Sequence, residues 1–225
     1  MQRHIDQRLF DIKKTQLQLV ADRGYEISQE EAVILDMNID QFITYVNTIV
    51  ITRNTSVRSA LSRSYLSRDE INGVRRSMLV YYGGKTATQK QVSAEVVREF
   101  IALVQQYGIY EAILIVDASL SSTGTQELSA LTLTRWQVFF DEDLTYNPTR
   151  HVDTPRHELL SPEEREAKLR EMKTDISKLP IIQYGDPVVR YYGWVPGSII
   201  RIHRDDSALS ILAPKSINYR VVVGS

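Results

Sequence analysis

The chain has 225 residues, 43% of them hydrophobic, with a formal net charge of −1 at pH 7, four histidines and no cysteine. That apolar content supports a core and excludes general disorder. No apolar run approaches the ~20 residues of a membrane span, and a near-neutral chain has no global pull toward nucleic acid or anionic lipid. Without cysteine, disulfides and thiolate metal sites are excluded, as in an intracellular protein, and the opening "MQRHIDQRLFDIKK" lacks the apolar core of a signal peptide. In chain order, Ile5, Leu9, Ile12, Leu19 and Val20 recur at helical spacing and Gly24 ends that helix. Ser28 with Glu31 three residues later reads as a capping box opening a second helix that carries Val33, Ile34 and Met37. Residues 39–51 fit helix or strand. From 53 to 76, Arg53, Arg58, Arg63, Arg68, Arg75 and Arg76 face only Asp69 and Glu70. On a helix, steps of five residues turn about 140° each, so these arginines would spiral. They read as a solvated surface, with a nucleic-acid or protein contact as the alternative.

"RRSMLVYYGG" reads as a strand closed by Gly83 and Gly84. "SAEVVREFIALVQQYG" is an amphipathic helix with a broad apolar face through Val96, Val97, Phe100, Ile101, Leu103 and Val104, stopped by Gly108. "AILIVD" is a short buried strand, "SLSSTG" a polar loop, "TQELSAL" a short helix and "WQVFF" a further strand. Strand, helix, strand, helix, strand predicts a small α/β domain with a mixed, partly parallel sheet. The charged, turn-prone "DEDLTYNPTR" at 141–150 marks a boundary. It separates a domain over 1–145 from one over 146–225. In the second domain, Ser161 caps a helix with Pro162 at its first position and Glu164 closing a capping box. "KLPIIQYGDP" is extended. "DPVVRYYG" then reads as a short helix, with Asp186 as cap, Pro187 at the first position and Gly193 as stop. "VPGS" is a turn, and "IIRIHR" and "INYRVVV" are strands of a small α+β domain.

Chemistry is sparse. No phosphate-binding or dinucleotide glycine pattern occurs and no Gly-x-Ser-x-Gly elbow. His4, His151, His157 and His203 do not pair at metal-ligand spacing, so no cofactor, no metal and no small-molecule substrate is expected. A metal-dependent nuclease would need an acid at a strand end and Glu-x-Lys on the next strand. Asp117 ends "AILIVD", but "WQVFF" holds no Glu-x-Lys, and Glu166 to Lys168 and Glu171 to Lys173 lie on the later helix. A nuclease and a generic DNA- or protein-binding module are the rival readings.

Several stretches carry a family pattern. "RLFDIKKTQLQLVADRGYEISQEE", "IYEAILIVDASLSSTGTQEL", "PRHELLSPEER", "LPIIQYGDPVVRYYGWVPGSIIRIHR" and "NYRVVV" occur in this order. The chain resembles the fifth subunit shared by the eukaryotic nuclear RNA polymerases I, II and III, whose second domain also occurs alone as a small polymerase subunit in archaea. Residues 36–74 show little of the resemblance.

The resemblance implies a subunit that is not catalytic. Its second domain docks on the largest polymerase subunit beside the other subunits, and its first domain forms part of the lower jaw near downstream duplex DNA. The positions matching the family's DNA-proximal loop are Ser121, Ser122, Thr123 and Gly124, where the family has Thr-Pro-Ser-Ala and one residue more. Arg190, Tyr191 and Tyr192 are candidates for the assembly surface, with Tyr219 and Arg220 behind them. Arg204 is followed by Asp205, Asp206 and Ser207 where the family has Pro-Ser-Glu, and the connection that follows is longer. Such departures suit a version from a large DNA virus or from a protist. The implied location is the nucleus for a cellular protein and the virion or a cytoplasmic virus factory for a viral one.

Overall fold

The computed structural model describes residues 2–71, 73–204 and 216–224 and divides into two compact units, 1–146 and 147–225. Both mix helices with a four-stranded sheet. In the first unit, α1 (Gln2–Asp22) is followed by α2 (Gln29–Ala32), α3 (Ile39–Arg53) and α4 (Val57–Leu61). β1 (Arg63–Ile71) and β2 (Val74–Gly83) form an antiparallel hairpin. Two crossovers then add parallel strands, α5 (Ala94–Gln106) leading to β3 (Glu111–Val116) and α6 (Ser122–Ser129) to β4 (Arg135–Phe140).

Strand alternation sorts the sheet's two faces. Leu79, Tyr81, Ala112, Leu114 and Val116 point into one core, where Val97, Phe100 and Val104 of α5 and Leu128 of α6 cover them. Met78, Val80, Tyr82, Ile113 and Ile115 take the opposite direction and are also buried. α1 lies on that second face: Gln16 accepts a hydrogen bond from the Tyr82 hydroxyl at 3.4 Å, and Arg23, just past the helix, donates to Glu111 of β3 and to Gln137 of β4.

Three readings change. Residues 39–51 are helical because Asn38 and Gln41 form a capping box. The arginines of 53–76 do not spiral on a helix: α4 and a β-hairpin occupy the segment, and an antiparallel pair throws alternate residues to opposite faces. Arg58 instead forks onto the buried Asp141 at 2.8 and 2.9 Å. The Ser28 cap is present, but the Glu31 side chain does not turn back to it. It accepts from the buried Lys13 ammonium at 2.7 Å and from the Tyr65 hydroxyl at 3.0 Å.

In the second unit, β5 (Arg156–Leu159) and β7 (Ile199–His203) pair antiparallel, β7 pairs antiparallel with β8 (Ile217–Val223), and β6 (Ile181–Gln183) joins β8 in parallel. α7 (Pro162–Glu171) accompanies a cluster through Leu160, Leu179, Ile199 and Val221 on one face. α8 (Pro187–Tyr192) packs Val188 and Val189 onto Ile200, Ile202 and Val222 on the other. The departing segment Asp205 to Ser207 and the connection after it lie outside the described residues.

The Lys13–Glu31 pair tests the buried polar layer of the first unit. Burial pushes the Lys13 ammonium below its usual range and the Glu31 carboxylate opposes that shift. Glu31→Ala is expected to cost about 3–5 kcal/mol near neutral pH by leaving a buried charge uncompensated. The deficit should shrink as pH rises toward ~10.4, because the unfolded lysine then binds a proton that the buried amine has released. Urea unfolding at about pH 7 and about pH 9.5 measures both effects.

Candidate assembly and nucleic-acid interfaces

The carboxyl-terminal ends of β2, β3 and β4 carry the segment matched to the DNA-proximal loop. It is not a free loop, which corrects the sequence reading. Ser121 is the N-cap of α6, with its Oγ accepting from the Gly124 N–H at 3.2 Å, and Ser122, Thr123 and Gly124 are the first turn. The hydroxyl-rich Ser-Ser-Thr-Gly string reads as a loop because small polar residues serve loops and caps alike.

Gly124 is buried. A Cβ there would stand 3.0 Å from Val97 Cγ2, so glycine lets α6 approach α5. Ser121 is half-buried and its N–H donates to the Val92 carbonyl at 3.0 Å. Ser122 and Thr123 alone among the four are exposed. Beside them, the Val92–Leu120 bridge ties in the segment that carries exposed Lys85 and Lys90. Asp117 accepts from the Lys85 N–H at 3.0 Å, and among the described residues no three His, Asp or Glu side chains converge as a metal site.

In the second unit the predicted caps take their positions. Ser161 Oγ accepts from the Glu164 N–H at 3.2 Å, Glu164 Oε2 accepts from the Ser161 N–H at 2.9 Å, and Pro162 occupies the first helical position. Asp186 Oδ1 accepts from the Val188 and Val189 N–H groups at 2.9 and 3.3 Å, Pro187 follows, and Gly193 closes the helix at φ 68°. A left-handed residue at that position suits glycine.

The assembly candidates do not form one surface. Tyr191 is in the core, 1% exposed, and its hydroxyl accepts from Asn147 Nδ2 at 2.9 Å. Tyr192 is half-buried and stacks on Trp194 with centroids 4.5 Å apart. Arg190 is half-buried on the same helix. Tyr219 and Arg220 are neighbours on β8, so they point to opposite faces. Arg220 donates to the Ile181 carbonyl at 2.9 Å, and Tyr219 lies under the Lys168 ammonium at 4.9 Å.

One polar cluster escaped the sequence reading. Glu158 accepts from Arg201 at 3.3 Å and pairs with His203 at 2.9 Å and Arg156 at 2.5 Å, and Arg201 also reaches Glu164 at 3.3 Å. Hydrogen bonding to His203, with the nearby arginines, holds the Glu158 carboxyl below its usual range. The signal for it was alternation: Arg156 with Glu158 on one strand, Arg201 with His203 on the next.

Two family models match the chain, one in each unit. That of RNA polymerase Rpb5, N-terminal domain, matches residues 4–104 and that of RNA polymerase Rpb5, C-terminal domain, matches residues 146–222. The class is therefore that of subunits of DNA-directed RNA polymerases. A Caenorhabditis briggsae protein named DNA-directed RNA polymerases I, II, and III subunit RPABC1 is 29% identical over 96% of each chain. Its Caenorhabditis elegans counterpart is 28% identical over 96% of each. The Arabidopsis thaliana DNA-directed RNA polymerase V subunit 5A is 27% identical over 87% of this chain and 81% of the relative. The chain belongs to the Rpb5 family. The N-terminal match runs through residues 36–74, where the quoted motifs carry little resemblance.

Tyr191 separates a packing from a docking function. Tyr191→Phe removes an acceptor from the buried Asn147 amide and is expected to cost about 1–3 kcal/mol. Urea unfolding of the variant checks this.

Proposed function

We propose that the chain is a non-catalytic subunit that docks on the largest polymerase subunit through its second unit and forms part of the lower jaw near downstream DNA with its first. The observation that carries the reading is the pair of family matches, one on each unit. The two units act as separate domains, 1–145 and 146–225. The docking surface is the exposed part of α8 around Arg190 and Tyr192, where an arginine fork and an amphipathic ring suit a protein interface. Arg220 flanks it from the same sheet face, while Tyr219 belongs to the face under α7. Tyr191 supports this surface from inside.

Ser122 and Thr123 meet DNA. Hydroxyls and helix-start N–H groups contact phosphates without reading bases. At a net charge of −1 the free chain binds DNA weakly, so the contact exists only where the polymerase holds the duplex close. The nuclease reading is disfavoured because β4 offers no Glu-x-Lys, and Lys168 on α7 pairs with Glu171 at 2.8 Å. Relatives that serve polymerases I, II and III favour the nucleus as its place of work.

Reconstituted polymerase tests both surfaces. Arg190→Ala, verified as folded, should weaken incorporation by ~2 kcal/mol, roughly thirtyfold. Ser122→Glu places a negative charge against phosphate and should weaken the hold on downstream duplex, most at low salt. Unchanged incorporation removes Arg190 from the interface, and unchanged DNA retention across salt removes the contact.

A further inference from the structure

At the amino-terminal ends of β2, β3 and β4 the sheet meets the carboxyl-terminal ends of α5 and α6 around a cleft of about 580 Å³. The three strands are parallel, so this end is opposite the one that carries Ser122 and Thr123. Its rim is apolar where turns usually offer polar groups. Leu133 is 99% exposed, Val74 66% and Tyr110 43%, and all three line the cleft. Contiguous exposed apolar groups of this kind mark an interaction surface.

Arg76 stands beside them. Its guanidinium carbon lies 5.9 Å from the Tyr25 ring centroid and 5.7 Å from that of Tyr110. Its Nε is buried without a hydrogen-bond partner. The neighbouring Arg75 is neutralised by Glu26 at 2.6 Å, whereas among the described residues no carboxylate pairs with Arg76. Two rings thus orient the fork and leave its charge uncompensated.

The geometry points to a docking site for an acidic, apolar segment of another protein chain. A Leu or Phe side chain of that segment enters the cleft against Leu133 and Val74, and an adjacent Asp or Glu carboxylate meets the Arg76 guanidinium. Charge-assisted pairing next to an apolar anchor supplies both affinity and orientation. A nucleic acid fits less well, because it needs several cations along its backbone and gains nothing from aliphatic walls. The site is independent of the DNA contact and lies at the other end of the unit.

The test titrates the full-length chain with a fluorescein-labelled peptide of about twelve residues made of Leu, Phe, Asp and Glu. Saturable binding with Kd below about 1 mM is expected. Leu133→Asp and Arg76→Gln should each weaken it at least about tenfold, as should a peptide with Asn and Gln in place of the acids. Leu133 is 99% exposed, so its variant folds normally and keeps the test decisive if Arg76→Gln does not. Absence of saturable binding, equal binding of the neutral peptide, or full affinity in Leu133→Asp overturns the site. So does binding of a single-stranded RNA of similar length that both variants abolish, which makes the cleft a nucleic-acid surface. A dimer in sedimentation that Leu133→Asp dissolves makes it a self-association face and overturns the inference too.

Discussion

Buried charge between α1 and the sheet is the constraint from which the first unit follows. Arg23 reaches from the end of the helix to Glu111 at the start of β3, and Tyr25 donates to the same carboxylate at 3.0 Å. Lys13, one side of the same helix, is held by Glu31, by Gln16 at 2.8 Å and by the Leu61 carbonyl at 3.2 Å. Ions taken out of water are costly unless each finds its partners, and this seating of α1 supplies them. The pairs therefore contribute little net stability but fix one arrangement: a helix slipped along the sheet would leave a guanidinium and an ammonium buried and alone. Arg58 does the same at the other end of the strands, binding Asp141 and the Ile115 carbonyl together.

With its register pinned, the sheet becomes a rigid bar with two different ends. Strand carboxyl ends present a helix start with two exposed hydroxyls and nearby lysines. Strand amino ends present an apolar cleft with one oriented arginine. Opposite faces of the bar are both covered, by α1 on one side and by α5 and α6 on the other. In the second unit the division is by face. α8 covers one side of the sheet and leaves part of Arg190 and Tyr192 at the surface, while α7 and a charged cluster around Glu158 occupy the other.

Much of this was legible in the sequence, for physical reasons that can be named. Long amphipathic patterns gave α1 and α5, and cap chemistry placed α7 and α8 at the right residues, because Ser161, Glu164, Asp186 and Gly193 each act within one turn of themselves. The parallel core strands showed as unbroken apolar runs, since both faces are buried. What stayed hidden depended on distant partners. Glu31 looked like half of a capping box until Lys13 and Tyr65 came within reach across the fold. The arginines of 53–76 looked like one solvated set, yet Arg58 answers to Asp141, 83 residues on. β1 and β5 were missed as strands because charged residues break up their apolar positions, whereas β4, equally an edge strand, keeps an apolar run. Of the residues matched to the family's DNA-proximal loop, Ser122 and Thr123 could be named from sequence for their hydroxyls, but Gly124 could not be recognised as a packing residue without Val97 beside it.

The central claim is that this chain enters a multisubunit RNA polymerase and does so through its second unit. The most direct measurement is affinity purification from native cells of three tagged forms, the full chain, residues 1–146 and residues 147–225, with identification of the chains that co-purify in stoichiometric amounts. The account predicts that the full chain and 147–225 each bring down the largest polymerase subunit, and that 1–146 does not. Recovery of the polymerase with 1–146 but not with 147–225, or its absence from the full-length sample, would contradict it.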